Sequence, residues 1–267
     1  MGDMMTVRPA AVAGMFYPGS RADLEVTVRG LLEAAGPVNE PAPKALIVPH
    51  AGYVYSGAIA ARGFATLAAG SATIRRVVLL GPTHRVAVAG IALPGCDAFQ
   101  TPLGTIPVDA ELVAVASRLP GVVTRPDVHV QEHSLEVQLP FLQTVLDDFT
   151  LLPLAVGSVP AAVVGDVLAA VWGGPETVIV VSSDLSHYHR YEQARAIDAD
   201  TVATLLALDE PLDHEQACGA TPINGLVAAL QQHPLRPRLV AMCNSGDSAG
   251  DHSRVVGYAS LRLDEEA

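Results

Sequence analysis

The sequence predicts an α/β protein: a central, mainly parallel or mixed sheet with helices on both faces. Two observations carry this. Strand-like apolar runs alternate with helical patterns along the chain. Three of those runs, in "ALIVPHAGYVYSG", "RRVVLLGPTHR" and "TVIVVSSDLSHYH", are broken by Pro, Gly or Ser just where a polar, metal-competent side chain appears. Strands of an open α/β sheet that end at one common edge have this form, and ligands collect at that edge. No Ser/Gly-rich linker or break in composition divides the 267 residues, so residues 1–267 read as one domain.

In chain order, a helical pattern near 20–35 precedes the first strand-like run, 45–49, which ends at His50. A helix near 56–69 follows, with Ser56 a candidate cap and Gly52 and Gly57 permitting a tight loop. The second run, 75–80, stops shortly before His84. The segment "GIALPGCDAFQTPLGTIPVD" breaks the alternation and reads as a hairpin excursion. Helices are expected near 109–118 and 132–146. In the second of these Leu135, Leu139 and Leu142 mark the buried side, and Glu136 falls on a solvated one. Strands near 149–156, 176–182, 237–243 and 254–263, and helices near 160–171, 190–207 and 222–233, complete the pattern. Pro222 stands near the start of the last helix, with Thr221 its candidate cap.

Composition narrows the function. Half the residues are hydrophobic and 16% are charged, which excludes a disordered chain. A net charge of −12 without a Lys/Arg cluster argues against a nucleic-acid partner. The longest apolar stretch, "LLPLAVGSVPAAVVGDVLAAVW", holds Pro153, Pro160 and Asp166 and reads as strand, turn and helix, not as a membrane span. Cys96, Cys218 and Cys243 are odd in number, widely spaced and without a C-x-x-C, so a reducing cytoplasm is the expected location. No secretory leader is visible in the opening residues. "MGDMMT" matches the loose N-myristoylation pattern at Gly2, a match short enough to arise by chance.

His50 and His84 occupy equivalent places after successive apolar runs, and two neutral imidazoles from adjacent strand ends can share one ion. Taken singly, each is as well read as an ordinary loop histidine. Asp184 and His187 are three apart and share a face if their turn is helical. The pair suits proton transfer, with the carboxylate fixing the tautomer of an acid/base imidazole. Alternatively Asp184 caps the next helix and His187 lies on its surface. Glu132 and His133 either back the ligands from behind or place charge at a helix N-terminus. Cys218, close to a helix start, is a candidate for a lowered pKa, as nucleophile or soft ligand; the bland alternative is a small core residue. Cys96, in the hairpin, reads as structural, and Cys243 reads more as a small core residue, although its place at the end of the run "RLVAMC" leaves a site role open.

Over nearly its whole length the chain resembles the Memo family, named for a mediator of receptor-kinase-driven cell motility and widespread in bacteria and archaea. The resemblance rests on "AVAGMFYPG", "VPHAGYVYSG", "LLGPTHR", "TPLGTIPVD", "EHSLEVQLPF", "LLPLAVGS", "VVSSDLSHY", "CGATPI" and "GYASL", in that order. It implies a fold like class III extradiol dioxygenases, with a metal vestibule at His50, His84 and Cys218 and with Asp184 and His187 beside it. Dioxygenase relatives use two histidines and a carboxylate, a face that suits Fe(II), whereas a thiolate at the third position favours softer ions such as Cu(I) or Zn(II); between the two, iron or copper is expected, with zinc possible. The resemblance further implies radical-SAM and AMMECR-type protein partners. The leading expectation is thus a metal-binding, dioxygenase-like redox protein. Its alternatives are a non-catalytic module binding a peptide or small ligand, and a Cys-His-Asp thiol hydrolase.

Overall fold

The structure, a computed structural model, describes residues 5–265, so Gly2 and its acylation pattern lie outside the described residues. The chain runs β1 (Val7–Arg8), α1 (Arg21–Ala35), β2 (Ala45–Val48), α2 (Tyr53–Ala65), β3 (Arg76–Pro82), β4 (Ile91–Leu93), β5 (Ala98–Thr101) and β6 (Gly104–Pro107). It continues through α3 (Ala110–Ala116), β7 (Val122–Thr124), α4 (Pro126–Val130), α5 (Leu139–Val145), β8 (Thr150–Val156) and α6 (Ala161–Ala170). The last third holds β9 (Thr177–Ser182), β10 (His187–His189), α7 (Tyr191–Ala207), α8 (Ala220–Ala229), β11 (Leu235–Asn244), α9 (Ser245–Ala249) and β12 (Val255–Glu265).

The main sheet has the order β10-β12-β2-β9-β3-β8-β4-β7, with β11 paired antiparallel to β12. Its centre, β2-β9-β3-β8, is parallel, while β12 on β2 and β4 on β8 are antiparallel. The sheet is therefore mixed. The central strands are buried on both faces, which is why they read as unbroken apolar runs. Their alternate residues still divide: Leu46, Val48, Leu79 and Val180 pack with α1, α2 and α5, whereas Ala45, Ile47, Leu80 and Val181 pack with α6, α7 and α8.

Four expectations change. The Gly/Pro-rich excursion supplies a true hairpin only in β5–β6, which joins β1 in a separate three-stranded sheet, while β4 enters the main sheet. The helix expected over 132–146 begins at Leu139, after a 3-10 turn at Glu136–Gln138. Upstream, the backbone N–H groups of His133 and Ser134 donate to the Glu132 carboxylate instead of to helical carbonyls. Ser56 and Thr221 lie inside their helices; Gly52 and Gly219 occupy the cap positions. The Asp184–His187 stretch is neither helical turn nor cap, because Leu185 N–H donates to Gly257 and Gly257 N–H to Ser186, which lays it along β12.

Candidate metal centre

The parallel register builds the site. Val48 is opposite Ser182 on the neighbouring strand, so the chain two residues beyond β2 lies beside the chain two residues beyond β9. There the backbone N–H of His50 donates to Asp184 Oδ1 at 2.7 Å. His84 follows β3, on the far side of β9; the two histidine-bearing strands are not neighbours, since β9 separates them. Their rings nevertheless meet, with centroids 5.1 Å apart. His133 joins them from the 131–135 loop, its centroid 5.4 Å from His50 and 4.6 Å from His84. One ligand atom from each of His50, His84 and His133 lies within 4.8 Å of the others.

Hydrogen bonding decides which nitrogen each ring offers. Ser182 Oγ has one proton, given to the Ser134 carbonyl at 2.6 Å, and accepts from Gln138 Nε2. The 2.8 Å contact to His50 Nδ1 is then Nδ1–H donating to Oγ, so the lone pair of His50 is on Nε2. Burial holds this imidazole well below its ordinary pKa, with the nearby His84 and His133 adding to the effect. On His84, Nδ1 donates to Glu132 Oε1 at 2.8 Å, again leaving Nε2. Glu132 accepts in addition from the backbone N–H groups of His84, His133 and Ser134. Burial works against its ionised form, but the hydrogen bonds and charge at His84 prevail and its pKa falls to about 2. His133, its pKa lowered by burial to about 4, has a buried Nδ1 that lies 3.3 Å from Glu132 Oε1 without hydrogen-bond geometry, and Phe16 packs on its ring at 4.6 Å.

Cys218 stands at the margin of this group, Sγ 3.3 Å from His50 Nε2. Gly219 fixes it there by donating its N–H to Ser183 Oγ at 2.9 Å, an approach so close that a Cβ would sit 2.6 Å from Ser183 Cβ. The expected lowering of its pKa is reversed: burial, reinforced by Asp184, raises the thiol to about 12. Proximity to a helix start is outweighed by desolvation. Asp184 is itself pushed up to about 7 by burial. Its carboxylate accepts the His50 N–H and makes no hydrogen bond with His187. His187 lies on β10, and burial lowers its pKa.

Glu136 does not belong to the solvated face the helical period assigned it. It is fully buried, pairs with Arg8 Nη1 at 2.6 Å, and accepts from Ala11 N–H, Val12 N–H and the Tyr17 hydroxyl. Arg8 also donates to the carbonyls of His129 and Glu132. The N-terminal segment thereby clamps the loop carrying Glu132 and His133.

The donor set fits a transition ion: three imidazoles, two of them with Nδ1 anchored so that Nε2 carries the lone pair, a third beside the Glu132 carboxylate, and a thiol at the margin whose S–H is only a weak donor to His50 Nε2. Sequence reasoning assigned His133 to the backing of the site; the adjacent Glu132-His133 pair was the only signal of its position among the ring nitrogens. Ser182 and Gln138 were missed, since nothing in their spacing distinguishes them from core polar residues.

Fold and site together define an α/β protein with a polyhistidine centre at the carboxyl edge of its parallel strands. The Memo-like protein family matches residues 8–262, and the chain belongs to that family. It is 37% identical to a MEMO1 family protein of Methanosarcina acetivorans and 36% identical to one of Aquifex aeolicus, in each case over 96% of this chain and 99% of the relative. In three dimensions it is similar to uncharacterized protein JW3007 from Escherichia coli K12, with a TM-score of 0.54 and 16% identity over 82% of this chain and 98% of that one. That likeness concerns the fold alone. No helix among the described residues is long and apolar enough to cross a membrane.

Proposed function

We propose that this chain is a transition-metal protein of dioxygenase-like redox type, with His50, His84 and His133 as nitrogen donors and Cys218 as a thiol that joins when the ion is soft. The carrying observation is the convergence of three imidazole ligand atoms within 4.8 Å. Iron and copper are the ions this set suits for redox work, and zinc would also be accepted. When bound, such an ion supplies Lewis acidity and, for iron or copper, electron transfer.

The remaining work falls to the chain. Ser182 and Glu132 hold the His50 and His84 rings with Nε2 directed away from the Nδ1 anchors. Asp184 positions His50 through its backbone. His187, at the rim on β10, is the acid/base group of this reading. Ligation would also overcome the raised pKa of Cys218, because a coordinating thiol is deprotonated by the ion. The thiol-hydrolase alternative is weaker: without an ion the thiol stays protonated, and its nearest imidazole is His50, not His187.

The test is metal analysis of protein purified without chelators, followed by anaerobic titration of Fe(II), Cu(I) and Zn(II) and oxygen uptake. His133→Ala is expected to weaken every ion by at least about 100-fold. Cys218→Ser is expected to weaken Cu(I) far more than Fe(II). Wild-type protein that binds none of the three ions would refute the proposal.

A further inference from the structure

Beside the histidine cluster lies a cavity of about 870 Å³, walled by the loop after β3, the end of β8 and the start of α8. Its polar lining comprises Arg85, His84, His214, Thr83, Thr221 and Ser158, and Cys218 forms part of the wall nearest His50. The apolar part is Val86, Val88, Val156, Val159 and Pro222. In a chain of net charge −12, no Asp or Glu among the described residues lines this cavity. Arg85 is exposed to solvent and makes no ion pair and no side-chain hydrogen bond with any described residue, so its guanidinium is free to meet a ligand entering the cavity. His214 and Thr221, also in the lining, are hydrogen-bonded to each other at 3.2 Å.

We propose that this cavity binds a small organic acid, its carboxylate on Arg85 and its apolar body against the valines, presented to the histidine cluster. A guanidinium forks onto a carboxylate with two parallel hydrogen bonds, a geometry that a lone histidine or threonine does not provide. The volume falls in the usual small-molecule range of roughly 300–1,000 Å³. The valine wall favours a carbon body over a bare inorganic anion. Presentation to the cluster rests on the metal-centre reading above; carboxylate recognition by Arg85 does not.

The experiment therefore uses full-length protein both metal-free and with Zn(II), and titrates benzoate against its neutral isostere benzamide by calorimetry or ligand-observed NMR. Benzoate should bind metal-free wild type about tenfold more tightly than benzamide, the scale of one charged hydrogen-bonding pair. Arg85→Gln should abolish that preference and Arg85→Lys should retain part of it, with unfolding midpoints unchanged. Equal affinities for the two probes, a preference that survives Arg85→Gln, or no binding of either probe would overturn the proposal. Inorganic phosphate displacing benzoate with equal affinity would overturn the organic-acid assignment. If Zn(II) fails to bind while the benzoate preference stands, the metal reading has failed and this one has not.

Discussion

The two ends of β2 are polar in opposite ways. At one end Lys44, the chain's single lysine, is buried and donates its ammonium to the carbonyls of Trp172, Gly174 and Thr177 at 2.7–2.9 Å, with Gly173 at 3.3 Å. At the other end His50 is equally buried, but only its Nδ1 is held by a hydroxyl; Nε2 faces a thiol and two further imidazoles. Both groups are costly to desolvate. The Lys44 end spends its hydrogen-bonding capacity on the protein itself and so serves the fold. At the His50 end the Nε2 lone pair meets only a weak S–H donor, Cys218 at 3.3 Å, which leaves it open to the ion proposed above. Burial alone does not distinguish structure from function; unspent hydrogen-bonding capacity does.

Glu136 provides the severest way to break this comparison, because it lies close to the His50 end yet has every acceptor engaged. It should behave like Lys44. Glu136→Gln leaves Arg8 buried against a neutral partner, and urea unfolding of the metal-free protein should show a loss of about 3–5 kcal/mol. A fully stable variant would mean that satisfied and unsatisfied groups cannot be told apart in this way.

Lys44→Met should come next, costing about 1–3 kcal/mol through the carbonyls left without a donor, while metal affinity and stoichiometry stay at the wild-type value. A loss of metal binding here would show that the two ends of the strand are coupled. The smallest effect should come from Ser182→Ala, which removes the acceptor that sets the His50 tautomer. Metal affinity should fall about tenfold with little change in the unfolding midpoint, since the site contributes less to the fold than to the ligand. A large drop in stability with unchanged affinity would reclassify Ser182 as a core residue.

Much of this was legible in the primary structure because of how parallel sheets are buried. Covered on both faces, β2, β3 and β9 must be continuous apolar runs, and their ends must be marked by breakers, so His50, His84 and Asp184 stand out by position alone. Cys218 was indicated chiefly by resemblance; no run or repeat singles it out, and the contact with His50 spans 168 residues of sequence. Glu136 was misplaced because helical periodicity describes one element in isolation. The residues that cover it, Arg8 to Tyr17, come from more than a hundred positions away.

By itself, then, the sequence determined the α/β alternation, the shared edge of the strands and two of the three imidazoles, since these follow from local periodicity and from where the periodicity stops. Tertiary structure alone decided that His133 joins them, that His50 offers Nε2, that Asp184 grips the His50 backbone instead of His187, and that Cys218 is a thiol raised to about 12. Each of those outcomes depends on hydrogen-bond partners and desolvation contributed by distant segments, and a pattern within one segment carries no record of them.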